Sequence, residues 1–137
     1  MRVLILENDP NRIEQLTSYF GEDEVVVATE VAKALILFQG SDFNLVLLDH
    51  HIATYKSIDD MINGGHLTGL DMAKVIAKRK PKPPFAVITH TWNSVAAADI
   101  EECLTKAGVV NIYLPLDEKV FPKAVANFRL QVNRQNP

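Results

Sequence analysis

Val3-Leu4-Ile5-Leu6-Glu7-Asn8-Asp9-Pro10 packs four apolar residues, two acids and a proline into eight positions. A short unbroken apolar run fits a strand covered on both faces better than a helix or a half-exposed strand. Asp9 has the side chain of a helix N-cap, and Pro10 suits the first helical position, where a missing N–H costs nothing. Ile13, Leu16 and Phe20 then recur at three- and four-residue steps, which predicts an amphipathic helix stopped by Gly21. Strand, tight turn, helix is thus the first unit.

The same unit repeats downstream. Branched-rich runs at 25–28, 45–48, 85–88 and 109–114 predict four more strands. Helical segments follow: 29–39 with Thr29 as cap and Gly40 as stop, 70–80 ending before Pro81-Lys82-Pro83-Pro84, and 94–107 closed by Gly108. A last helix carries the stripe Val120, Phe121, Ala124, Val125, Phe128 and Val132. Five β-α units predict an α/β three-layer sandwich. Right-handed crossovers favour a flavodoxin-like, five-stranded parallel sheet in the order 2-1-3-4-5. The ligand crevice then lies beyond the carboxyl ends of strands 1 and 3. One piece exceeds the minimal design: an extended loop after strand 3, at about 50–68, with Asp59-Asp60 and Gly64-Gly65, suits a lid or specificity loop and has room for a short helix near 58–62.

The 137 residues predict one domain, 1–137, and 47% apolar residues suffice for a core. Fourteen basic and 17 acidic residues give a net charge of −3 without a long run of one sign, which argues against a duplex nucleic-acid partner or a membrane surface. No apolar stretch approaches a membrane span, and the opening residues turn acidic too soon for a secretory signal. Cys103, the single cysteine, fits a packing residue in a reduced, cytoplasmic protein.

Glu7 and Asp9 follow strand 1, and Asp49 ends strand 3, so a parallel sheet brings their carboxylates to one edge. Each also has an ordinary reading, Asp9 as a cap and Glu7 and Asp49 as solvent-facing strand ends. Crowded carboxylates repel, and a hard divalent ion relieves the repulsion, so Mg²⁺ or Mn²⁺ is the expected cofactor, with no organic one. All four histidines, His50, His51, His66 and His90, fall near the same edge. His50 and His90 suit acid–base work or phosphate binding, and His51 suits either role or a metal ligand. Thr89, Thr91 and Asn93 offer donors to phosphate oxygens, although Asn93 also suits the cap of the next helix. Trp92 reads as a packing residue.

Leu4 to Pro10, Leu45-Val46-Leu47-Leu48-Asp49, Ile88-Thr89 and Ala107-Gly108 resemble, in order, the landmarks of CheY-like response-regulator receiver domains. The resemblance implies Mg²⁺ at Glu7 and Asn8 with Asp9 adjacent, Asp49 as the phosphoacceptor from a histidine kinase, and Thr89 as the switch hydroxyl. The chain departs from it in having Asn8 for one acid and no lysine in Asn111-Ile112-Tyr113-Leu114-Pro115-Leu116-Asp117. Leu48-Asp49-His50-His51, Thr68-Gly69-Leu70-Asp71 and His90-Thr91-Trp92-Asn93, with the opening Leu6 to Arg12 that puts an arginine near the first helix, are more similar to the divergent cyclic-phosphate-processing receivers, with His51 and Thr91 as the departures.

Three functions follow. One is a stand-alone receiver-like protein with a metal-dependent phosphate site at Asp49, a phosphoesterase acting on a cyclic nucleotide or another phosphorylated small molecule. A second is a response regulator phosphorylated on Asp49 in two-component phosphorelay signalling, with a histidine kinase as partner. A third is a non-catalytic interaction module. A homodimer is compatible with each.

Overall fold

The structure is a computed structural model that describes residues 1–49, 67–79, 83–91, 93–117 and 119–135. His50, His51, His66, Trp92 and the expected short helix near 58–62 lie outside the described residues.

The strands are β1 (Arg2–Leu6), β2 (Glu24–Ala28), β3 (Leu45–Leu48), β4 (Ala86–Thr89) and β5 (Asn111–Tyr113). They form one sheet in the order β2-β1-β3-β4-β5, with every pairing parallel, as expected. The described helices are α1 (Pro10–Ser18), α2 (Val31–Gly40), α3 (Gly69–Lys78), α4 (Ser94–Lys106) and α5 (Phe121–Gln135).

The unbroken apolar runs became the inner strands. Val3 to Leu6, Leu45 to Leu48 and Ala86 to Ile88 are all fully buried, because helices cover both faces. Alternation along each strand divides the core in two. Leu4, Leu6, Val46, Leu48 and Val87 pack with Val31 and Phe38 of α2, Met72 and Ile76 of α3, and Ile100 and Leu104 of α4. Val3, Ile5, Leu45, Leu47 and Ile88 pack with Leu16 and Phe20 of the first helical region and Phe121, Val125 and Phe128 of α5. Each such side chain contributes about 1.5–3 kcal/mol when fully buried.

Some boundaries differ from the sequence expectation, each for a local reason. α2 is capped at Glu30 rather than Thr29, with no side-chain bond from the cap. α3 starts at Gly69 because Asp71 reaches back to the N–H of Thr68 at 2.7 Å, one half of a capping box. It ends at Lys78, and the extended Arg79 turns away so that its guanidinium binds Phe38 O and Ser41 O at the end of α2. β4 runs one residue further than expected, through Thr89. β5 is shortened to three residues. Among the described residues no helix is long and apolar enough to cross a membrane.

Candidate functional site

Strand register assembles the site. Leu6, Leu48 and Thr89 are mutual partners on one rung across β1, β3 and β4. The next rung is therefore Glu7, Asp49 and His90. The ladder continues into it, since Glu7 N–H donates to Ala28 O (3.1 Å) and His90 N–H to Leu48 O (2.9 Å). Neighbouring parallel strands lie about 4.8 Å apart, and residues on one rung point to the same face. Glu7, Asp49 and His90 are 0%, 1% and 1% exposed. Each offers a ligand atom, and the three atoms lie within 4.8 Å of one another.

Glu7 is fixed at both carboxylate oxygens. Oε2 accepts the N–H groups of Asn8 (2.9 Å) and Asp9 (3.1 Å). Oε1 faces His90 Nε2 at 3.3 Å and Arg12 Nε at 3.2 Å. Burial alone would raise the Glu7 carboxyl. The hydrogen bonds from His90 and the Asp9 amide, with the charges of His90 and Arg12, outweigh it and hold the group below its ordinary value. Arg12 Nη2 also lies 3.8 Å from Asp49 Oδ2. His90 Nδ1 is buried and has no hydrogen-bond partner among the described residues.

The other expected residues have local structural tasks. Asp9 Oδ1 accepts the N–H groups of Asn11 (2.8 Å) and Arg12 (3.1 Å), the N-cap of α1. Its carboxylate is not part of the Glu7–Asp49–His90 group. Asn8 is exposed at the rim. Asn93 Oδ1 caps α4 by accepting Ala96 N–H at 3.1 Å, and the buried Thr91 hydroxyl accepts Asn93 N–H at 3.2 Å. Thr89 is 2% exposed, and strand alternation puts it on the opposite face from His90 and Asp49. The expected roles of His50 and His51 fall outside the described residues.

Arg12 stands in the sequence reading as an arginine near the first helix, part of the family resemblance, and is given no role in the site. Its signal was its position: N3 of α1 is a poor place for a cation, since the helix dipole puts partial positive charge there. Two nearby carboxylates account for it.

Among known proteins, the sequence profile of the family described as "Cyclic-phosphate processing Receiver domain" matches residues 4–106. No curated protein sequence matches the chain. Solved structures do. Response regulator TrrA from Thermotoga maritima, in complex with Mg²⁺ and BeF, aligns with TM-score 0.69 and 21% identity over 93% of this chain and 97% of that one. A CheY-like receiver domain from Methanospirillum hungatei aligns with TM-score 0.66 and 19% identity over 97% of each chain. A receiver domain from Clostridium thermocellum gives 0.66 and 19% over 98% and 96%. At these identities the likeness establishes the fold.

Proposed function

The chain belongs to the cyclic-phosphate processing receiver domain family, and on that premise we infer that it is a metal-dependent phosphate-handling protein that acts on cyclic phosphates at Asp49. One observation supports this most: two buried carboxylates and a buried imidazole share one rung at the carboxyl edge of the sheet.

The donor set fits a divalent ion. Oxygens of Glu7 and Asp49 suit Mg²⁺ or Mn²⁺. Such an ion, when bound, would neutralise phosphate charge and polarise the phosphorus–oxygen bonds. The remaining work falls to the chain. The amides of Asn8 and Asp9 hold Glu7 Oε2, which leaves Oε1 for the site. Glu7 in turn orients His90 through Nε2, and Nδ1 remains to carry a proton to or from a reacting oxygen. The cap at Asp9 fixes the turn from which Arg12 reaches both acids, and the cap at Asn93 fixes the turn that carries Thr91. Asn93 stands three positions beyond His90 in the chain, and its amide nitrogen is the candidate to orient a phosphate oxygen.

Incubation with 2′,3′-cyclic nucleotides and Mg²⁺ or Mn²⁺ tests the proposal. Ring opening that disappears in Asp49→Asn and His90→Gln is the expected result. Failure of the folded protein to open any of them, with metal present, argues against cyclic-phosphate chemistry.

A second reading, phosphorylation of Asp49 by a histidine kinase, is favoured by the likeness to a response regulator solved with Mg²⁺ and BeF. The facing of Thr89 and the lysine-free segment 111–117 weigh against it. Acetyl phosphate with Mg²⁺ separates the two: a phosphate-sized mass increase that Asp49→Asn abolishes supports the second reading.

A further inference from the structure

Glu7 and Asp49 bring two negative charges to the site, and among the described residues Arg12 is the one lysine or arginine paired with either. The guanidinium sits at the edge of the site. Its side chain is 30% exposed, whereas those of Glu7 and Asp49 are 0% and 1%. Its contacts are loose: one nitrogen at 3.2 Å from Glu7 and another at 3.8 Å from Asp49, from two different carboxylates. Nε is buried without a well-angled hydrogen bond among the described residues. Arginine has five N–H donors in a planar fork that matches two oxygens of one carboxylate or phosphate. Here that fork is engaged by neither acid in the paired fashion. The helix gains nothing from the charge, because N3 lies at the positive end of its dipole.

We propose that Arg12 is the phosphate-binding residue of this site and that it exchanges places with the metal. Without metal, the guanidinium balances Glu7 and Asp49. A divalent ion drawn between the same two carboxylates repels it. Arg12 then turns its fork toward the solvent-facing side, where an anionic phosphate supplies the oxygens that the acids did not. The ligand class is an anionic phosphate, ester or inorganic, whose affinity rises when metal is bound. By linkage, phosphate strengthens metal binding by the same factor. The inference rests on the metal-dependent phosphate site proposed above and adds a residue and a coupling to it.

Two measurements on the full chain test it, each with wild type, Arg12→Gln and Arg12→Lys, after circular dichroism and melting have shown that all three fold. Mn²⁺ binding is read from the free-ion EPR signal without phosphate. Inorganic phosphate binding is read by calorimetry at saturating Mg²⁺. Removing a competing positive charge at this range should tighten Mn²⁺ binding in Arg12→Gln by about tenfold, and losing the anchor should weaken phosphate by about tenfold or more. Arg12→Lys keeps the charge without the fork, so its Mn²⁺ affinity should stay near wild type while its phosphate affinity falls in part. Loss of both affinities in Arg12→Gln would make Arg12 a structural support and overturn the proposal. Unchanged affinities would do the same, as would Arg12→Lys behaving like Arg12→Gln in the Mn²⁺ measurement. If wild type binds neither Mn²⁺ nor phosphate, the metal-dependent site itself falls and Arg12 with it.

Discussion

Asp49 and Glu7 are buried like core residues although both are acids. Their ligand oxygens lie within 4.8 Å on one rung, so two like charges repel whatever each gains from its other partners. Asp49→Asn should therefore raise the melting temperature of the metal-free protein, by on the order of 1 kcal/mol in stability, while abolishing its stabilisation by Mn²⁺. A lower melting point without metal would show that the pairing of Asp49 outweighs the repulsion. Glu7 has a pH signature. Its carboxyl is held below its ordinary value of 4.5, so the unfolded chain takes up the proton first as pH falls. The stability it supplies is complete above 4.5 and is lost as pH drops through the folded-state value. Denaturant titrations between about pH 5 and pH 3 should show stability falling with pH, and less steeply in Glu7→Gln. Equal slopes would remove Glu7 from the acid response. Asp9 separates capping from ligation. Asparagine caps as well as aspartate, so Asp9→Asn should keep both the melting point and the Mn²⁺ affinity if the cap is its whole task. A large loss of metal affinity with stability intact would make Asp9 a ligand. The sequence showed that acids meet at this edge. It did not show which ones: Asp9 is two positions beyond Glu7 and caps as readily as it ligates, and only the turn geometry chooses.

The elements explain why His90, rather than Thr89, shares the rung of Asp49. A strand at 85–88 and one at 86–89 are nearly equal on composition, since Phe85 and Thr89 both suit strands. One residue of register decides which side chain faces the site, because alternation reverses faces at every step. Pairing with β3 settles it, and no local pattern contains that information. The end of α4 is a similar case. Gly108 was legible as a stop, but the motif it builds was not. Gly108 N–H donates to Thr105 O and Val109 N–H to Leu104 O, each at 3.0 Å, the paired bonds of a Schellman cap. Val109 is thereby tied to the helix end and the strand starts at Asn111, not at 109 as its branched side chain suggests. Gly108 has φ +77°, and a Cβ there would meet nothing within 4 Å. Gly108→Ala should thus cost only the backbone strain, about 1–2 kcal/mol, with Mn²⁺ affinity unchanged. A neutral effect on unfolding would contradict the left-handed conformation.

At the scale of the molecule, the winding of the sheet does the gathering. β1 and β3 are neighbours although β2 separates them in sequence, and the helices after them leave on opposite faces. The three apolar inner strands made this topology readable, because runs such as Val3 to Leu6 bury both faces and leave few alternatives. What the chain handles was less readable, because the same fold serves many chemistries and the distinguishing groups lie at strand ends and in turns. The most direct measurement is the anomalous scattering of a crystal soaked in Mn²⁺. The expected result is one ion with an oxygen of Glu7 and an oxygen of Asp49 each about 2.2 Å away. Ions bound elsewhere with that rung empty, or Glu7 and Asp49 each holding a separate ion, would contradict a shared metal site.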